Sequence, residues 1–142
     1  MPPIPAGEVA ARLESAMPAR RVLVVDDDQD NAEGLAMLCR LSGHDVAVAY
    51  DGPTAIEKAK SFRPDVVVLD LGLPGMDGID TCRELRRMTQ APRPVVIAVT
   101  GWALSADDDR TRAAGFDHHF VKPVEPQQFL AMLSGAPPAG AV

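Results

Sequence analysis

Residues 66–78 read VVVLDLGLPGMDG, an unbroken apolar run that ends at Asp70 and is followed by a loop rich in glycine and proline. A continuous run of this kind, without polar alternation, is typical of a parallel strand that is buried on both faces. Ligands of parallel sheets covered by helices bind at the carboxyl ends of the strands. The stretch therefore predicts a buried parallel strand with a functional position at Asp70.

Four further apolar runs of strand length flank this one, and helical patterns separate them. The strands are predicted at 22–25, 46–50, 66–69, 95–99 and 119–121. The alternation of five strands with five helices predicts an α/β fold of the flavodoxin-like type. We expect an open, doubly wound, five-stranded parallel sheet with strand order 2-1-3-4-5.

The helices are predicted from apolar spacing and from their start and stop signals. The first spans 30–42, the second begins at Pro53, the fourth spans 105–115, and the fifth follows Pro126. The third carries Ile79, Cys82 and Leu85 on its inner side. For the first helix we expect a buried stripe of Leu35, Leu38 and Leu41.

Length and composition favour one domain with flanking segments. Of the 142 residues, 1–19 form a Pro/Ala-rich N-terminal extension, in which Val9, Leu13 and Met17 make one short apolar stripe. The domain is predicted to span 20–134, and 135–142 form a C-terminal tail.

The charge balance and hydropathy exclude several classes of protein. The net charge of −6, without a cluster of Lys and Arg, argues against direct nucleic-acid binding. No apolar run has the length of a membrane span, and charged residues interrupt the first 20 positions, where a signal peptide needs an apolar core. We therefore expect a cytoplasmic protein, with Cys39 and Cys82 as buried thiols of no chemical role.

Four aspartates follow the first and third predicted strands. Asp26, Asp27 and Asp28 come directly after the first strand, and Asp70 directly after the third. In the predicted strand order these two strands are neighbours, so their carboxylates converge and repel one another. A hard cation relieves the repulsion, and an oxygen-only ligand set favours Mg²⁺, with Mn²⁺ as the other candidate.

The two remaining strand ends supply groups that suit a phosphate. Thr100 and Gly101 follow the fourth strand, and Lys122 and Pro123 follow the fifth. A hydroxyl, a compact cation and a metal ion together neutralise phosphoryl oxygens during transfer. The residues thus predict a phosphoryl-handling site in which Asp70 is the nucleophile.

The runs VLVVDDD (22–28), VVVLDLGLPGMDG (66–78), AVTG (98–101) and FVKPV (120–124) closely resemble the signature blocks of response-regulator receiver domains of two-component signalling. The resemblance implies that Asp70 is the phosphoacceptor, that Asp27 binds Mg²⁺ directly and that Asp26 assists or binds through water. It further implies that the backbone carbonyl of Gly72 is a metal ligand. Thr100 is then the switch hydroxyl, and Lys122 is the ion partner of the phosphoryl group, with a cis peptide bond to Pro123.

Two positions depart from the commonest pattern of this family. His119 stands three residues before the lysine, where a switch Tyr or Phe is usual; we interpret it either as a variant contact residue or as a pH-sensitive ring. Trp102 is interpreted either as a shield of the phosphoryl group or as surface packing. Asp28 has no role in the family pattern, and we expect it to cap the first helix.

The implied function is that of a phosphoacceptor signalling domain and not of an enzyme. It would receive its phosphoryl group from a histidine kinase or phosphotransfer protein and bind a downstream protein through the face of helix 4 and strand 5, with a homodimer as a further option. Since no DNA-binding or enzymatic sequence follows residue 134, we expect a stand-alone regulator or the separated receiver of a hybrid kinase. The alternatives from other classes are a flavin- or nucleotide-binding protein, a Mg²⁺-dependent phosphohydrolase with an aspartyl phosphate, and a phosphate-independent interaction module.

Overall fold

The computed structural model describes residues 19–88, 94–101 and 112–133. Five parallel strands form one sheet in the order β2-β1-β3-β4-β5, which confirms the predicted topology. The strands are β1 (Arg21–Val25), β2 (Asp45–Ala49), β3 (Val66–Asp70), β4 (Val95–Thr100) and β5 (His118–Val121).

Four helices connect and cover these strands within the described residues: α1 (Gln29–Leu41), α2 (Gly52–Phe62), α3 (Gly78–Met88) and α4 (Pro126–Leu133). The helix α4 is the fifth helix predicted from the sequence. Most of the predicted fourth helix lies outside the described residues, of which 112–114 are helical.

The helix starts follow from local side-chain chemistry. Asp28 caps α1, because its carboxylate accepts hydrogen bonds from the backbone N–H groups of Asp30 and Asn31. Asp51 caps α2 in the same way through Thr54, and Pro53 occupies the first turn, where its missing N–H costs nothing. The cap at the start of α1 confirms the predicted role of Asp28.

The sheet is buried on both faces. Alternate strand residues such as Leu23 and Leu69 pack towards α2 and α3, and Val24 packs with Phe129 on the face covered by α1 and α4. The residues Cys82 and Leu85 of α3 are fully buried, and Ile79 packs against them. Cys39 and Cys82 are both buried thiols, and Sγ of Cys82 donates to the carbonyl oxygen of Ala114 at 3.3 Å.

The predicted stripe of α1 is confirmed at Leu35, which packs against the buried cluster on this face of the sheet, and is wrong at Leu41. The buried residues are Ala32, Ala36 and Cys39, whereas Leu41 is 79% exposed. Residues spaced by three drift around a helix that has 3.6 residues per turn, so a stripe at this spacing leaves the sheet after two turns. Small side chains also allow α1 to lie close to the valine-rich strands.

No helix in the part of the chain that the structure describes is long and apolar enough to cross a membrane. The predicted extension and tail lie almost wholly outside that part, so the predicted domain boundaries stay a prediction.

Candidate functional site

The four predicted strand ends meet at one edge of the sheet. β1 pairs with β3, β3 with β4, and β4 with β5, in a register that sets Asp70 opposite Val99 and Thr100 opposite Val121. Asp26 follows β1 directly, and Lys122 follows β5 directly. The sheet therefore brings Asp26, Asp70, Thr100 and Lys122 to the same end of the molecule.

Three carboxylates converge at this edge. Ligand oxygens of Asp26, Asp27 and Asp70 all lie within 4.8 Å of one another. Asp26 is 3% exposed and Asp70 is 7% exposed, while Asp27 is open to solvent. Two buried carboxylates at this separation need a positive charge nearby.

Lys122 supplies that charge. Its Nζ lies 3.1 Å from Oδ2 of Asp26 and 3.2 Å from Oδ2 of Asp70. The ammonium thus bridges the two buried carboxylates that come from different strands. Lys122 is also joined to β4, because its backbone N–H donates to the carbonyl oxygen of Thr100 at 2.7 Å.

Backbone N–H groups hold the other oxygen of each carboxylate. The N–H of Asp28 donates to Oδ1 of Asp26 at 2.9 Å, and the N–H of Gly72 donates to Oδ1 of Asp70 at 3.0 Å. Each buried carboxylate is therefore fixed by one amide and by the shared ammonium. The predicted part of Gly72 in metal binding, which uses its carbonyl, stays a prediction.

Burial and charge shift the protonation of the site in opposite directions. Burial, reinforced by the neighbouring charge of Asp70, raises the pKa of Asp26, although the Asp28 amide and Lys122 oppose the change. Burial lowers the pKa of Lys122, but its contacts with Asp26 and Asp70 outweigh this, so the net pKa is raised. Lys122 is therefore charged at neutral pH, and Asp26 resists ionisation.

Gly78, at the start of α3, allows a close approach to the end of β3 at Asp70. A Cβ atom at this position would lie 2.5 Å from the carbonyl oxygen of Asp70 and 2.7 Å from Cα of Leu71. Sequence reasoning did not predict this close approach. The sequence feature that could have indicated it is a glycine at the first position of a helix, directly after the long loop that follows Asp70.

The remaining predicted site residues divide between buried and exposed positions. Thr100 is 1% exposed and ends β4, whereas His119 is exposed on β5. The peptide bond between Lys122 and Pro123 is cis, as the sequence resemblance implied. Trp102 lies outside the described residues.

An open cleft of about 470 Å³ adjoins the carboxylates, and sequence reasoning missed it. It is lined by Asp26 and Lys122 on the side of the site and by Asn31, Gly34 and Leu35 of α1. A cleft of this kind gives a ligand or partner group access to the Asp26 carboxylate and the Lys122 ammonium.

The site fits a hard divalent cation. Its donors are carboxylate oxygens, and the described part of the cluster contains no His or Cys. Two of its carboxylates are buried beside a single ammonium, so the pocket carries excess negative charge that a small cation would neutralise.

A family model described as the response regulator receiver domain matches residues 22–134. Among curated proteins, the DNA-binding response regulator MtrA of Mycobacterium tuberculosis (strain ATCC 25618 / H37Rv) is 40% identical over 112 residues, which are 79% of this chain and 48% of MtrA. The chain thus spans about half the length of the curated relatives it matches.

Solved structures with the same fold include chemotaxis protein CheY4 of Vibrio cholerae, with a TM-score of 0.78 and 26% identity over 84% of this chain and 99% of that chain. The receiver domain of sensor histidine kinase PA1611 from Pseudomonas aeruginosa PAO1 has a TM-score of 0.71 and 29% identity, over 83% of this chain and 99% of that one. The PA1611 structure has a magnesium ion coordinated in its active site cleft.

Proposed function

Because the chain belongs to the response regulator receiver domain family, we propose that Asp70 accepts a phosphoryl group from the phosphohistidine of a histidine kinase or phosphotransfer protein. The observation that carries this proposal is the bridge of Lys122 Nζ between Asp26 and Asp70, at 3.1 and 3.2 Å. It sets a nucleophile, a second acid and a cation at one open strand end. Such a set can bind and neutralise a transferring phosphoryl group.

Asp26, Asp27 and Asp70 would hold Mg²⁺, with Mn²⁺ as an alternative of similar ligand preference. The carbonyl of Gly72 completes the proposed protein ligands. When bound, the ion supplies positive charge beside the phosphoryl oxygens. The PA1611 receiver domain, which contains magnesium in its own cleft, supports this assignment.

The proposed transfer uses a carboxylate oxygen of Asp70 as the nucleophile. A new P–O bond forms while the P–N bond of the phosphohistidine breaks, and the bonding electron pair stays on the imidazole nitrogen. Lys122 then pairs with a phosphoryl oxygen in place of the Asp70 carboxylate, and the Thr100 hydroxyl donates to another. The product is an acyl phosphate on Asp70.

The proposed output is a change in protein binding at the face of β5 and the segment predicted as the fourth helix. Phosphorylation adds charge and acceptor oxygens that attract Thr100 and Lys122, which are themselves joined by a backbone hydrogen bond. His119 is exposed on β5 and stands in the proposed switch position. A coupling of about 1–3 kcal/mol is typical of such two-state changes.

The protein to which this receiver belongs is also part of the proposal. MtrA is a DNA-binding regulator about twice as long as the match, and PA1611 is a histidine kinase. We favour a signalling module that contacts proteins and not nucleic acid through its own surface, because its net charge is −6. The cytoplasmic location expected from the sequence is kept as part of this proposal.

The test is intact mass spectrometry of the protein after incubation with acetyl phosphate, with and without Mg²⁺. We expect a gain of one phosphoryl group that requires Mg²⁺ and is lost in Asp70→Asn. Asp45→Asn is the matched control, because Asp45 is an exposed aspartate at the opposite end of the sheet.

Two results would contradict the proposal. One is an unchanged gain of mass in Asp70→Asn. The other is no gain in a folded, Mg²⁺-binding protein, with either acetyl phosphate or a phosphorylated histidine kinase as donor. Many turnovers of a small phosphoester would instead support the phosphohydrolase alternative, since a receiver releases its phosphoryl group slowly.

A further inference from the structure

Two large apolar side chains of α1 lie in solvent on the side that faces away from the sheet. Met37 is 61% exposed and Leu41 is 79% exposed, whereas Ala36 and Cys39 lie on the buried side of the same helix. Residues four apart are neighbours on a helix, so Met37 and Leu41 form one continuous apolar surface. We call this pair the outer α1 surface.

The N-terminal segment joins the domain beside this surface. The backbone N–H of Arg20 donates to Nδ1 of His44 at 2.9 Å, and the N–H of Asp45 donates to the carbonyl of Arg20 at 3.0 Å. His44 in turn donates its N–H to the carbonyl of Cys39, in the last turns of α1. Residues that precede Arg20 therefore start next to the helix end that carries Leu41.

The sequence of that segment matches the surface in the spacing and polarity of its side chains. Val9, Leu13 and Met17 recur at a spacing of four, which places apolar side chains along one side of a short helix. Pro18 follows Met17 and disfavours continuation of a helix beyond it. A step of four residues rises about 6 Å along a helix, and this is also the separation of Met37 and Leu41 along α1.

We propose that residues 9–17 of this chain dock on the outer α1 surface, with Leu13 and Met17 against Met37 and Leu41. Met17 precedes Arg20 by three residues, so its Cα lies within about 10 Å of that anchored position. A short tether gives the segment a high effective concentration at the surface. Two side chains expose too little apolar area to hold a second molecule by themselves.

This proposal does not depend on phosphoryl transfer. α1 begins at its cap Asp28, near the carboxylates, and ends at Leu41, at the opposite end of the sheet. A docked segment would cover the part of α1 that is remote from Asp70.

The test is disulfide formation within the full chain that carries Leu13→Cys and Leu41→Cys. The control pair is Leu13→Cys with Ser61→Cys, because Ser61 is exposed near the end of α2 on the other face of the sheet. Its neighbour Phe62 lies under the Arg21 guanidinium at 4.7 Å. Both target positions are therefore close to the point where the segment joins β1, and a chain without docking would reach either one.

At low protein concentration and mild oxidation, we expect the within-chain disulfide of the Leu41 pair to form about tenfold faster, an advantage within the range of tethered contacts. Intact mass and non-reducing electrophoresis measure both products. Burial raises the pKa of Cys39 to about 12, so this native thiol contributes little background.

Added to the Leu41 pair, Met17→Gln removes one apolar contact of the segment, and we expect it to reduce the rate to that of the control. Equal rates for the two pairs would overturn the proposal, as would a rate insensitive to Met17→Gln. Disulfides formed mainly between chains would also overturn it, because the occupant would then be a second copy of the protein.

Discussion

Asp26→Asn tests the electrostatic balance of the site most directly. Asp26 is 3% exposed and lies among two other carboxylates and one ammonium. Burial and the charge of Asp70 raise its pKa, so its ionised form costs folding free energy at neutral pH. The asparagine has nearly the same shape, and its Oδ1 can still accept from the Asp28 amide.

The expected effect is a gain in the free energy of unfolding of the metal-free protein by about 1–2 kcal/mol at pH 7.5. At an effective dielectric constant of about 20, the lost attraction to Lys122 is about 5 kcal/mol and the relieved repulsion from Asp70 is about 3 kcal/mol. The neutral asparagine also avoids the free-energy cost of burying a charge, which is several kcal/mol, and this makes the net change a stabilisation. The folded state takes up the proton of Asp26 more readily, so the gain shrinks as pH falls towards the ordinary pKa of 3.8.

Urea unfolding followed by circular dichroism measures this effect, with EDTA and then with Mg²⁺. We expect Mg²⁺ to stabilise the unsubstituted protein, by about 2.7 kcal/mol at a hundredfold excess over Kd, and Asp26→Asn much less. Asp28→Asn is the control, since it removes the same charge two positions away and keeps a good helix cap. A loss of stability in metal-free Asp26→Asn would refute the reasoning, because attraction to Lys122 would then exceed the cost of burial.

Three further substitutions test the fold around the site. Burial and nearby Arg20 lower the pKa of His44, so the free energy of unfolding should fall as pH drops below 6.5. His44→Asn keeps a hydrogen-bond acceptor and should make the free energy of unfolding, measured in urea, less dependent on pH. An unchanged pH dependence in this variant would show that another group causes it. Gly78→Ala places a Cβ 2.5 Å from the Asp70 carbonyl oxygen. It should lower the free energy of unfolding by about 1–3 kcal/mol and slow phosphorylation by acetyl phosphate. A variant with normal stability and a normal phosphorylation rate would count against this steric argument. Phe129→Ala removes a fully buried ring and should lower the free energy of unfolding, measured in urea, by about 3–5 kcal/mol. The exposed control Gln128→Ala should lower it by less than about 0.5 kcal/mol. A similar small loss in both variants would contradict the packing of Phe129.

Much of the fold could be read from the sequence, because the signals were local. Continuous Val and Ile runs identified the buried strands, and the caps and prolines marked the helix starts. The residue type at each strand end then selected Asp70, Thr100 and Lys122 as site candidates. That these groups meet followed from a general rule of parallel sheets.

Other features depended on contacts between distant residues. The leucine stripe predicted for α1 was wrong at Leu41, because the strands beneath the helix decide which side is buried, and small residues such as Ala32 and Ala36 fit there. The close approach of Gly78 to Asp70 was also missed. Neither depends on the segment's own pattern, so sequence periodicity could not reveal them.

The sequence alone determined the order of strands and helices and the residues available for chemistry, since propensity, capping and burial patterns act over a few positions. Only the tertiary structure decided which of those residues interact electrostatically. Lys122 lies 52 positions from Asp70 along the chain and 3.2 Å from it in space, because adjacent parallel strands bring distant ends together. The raised pKa of Asp26, the bridging role of Lys122 and the exposure of Leu41 all follow from that packing.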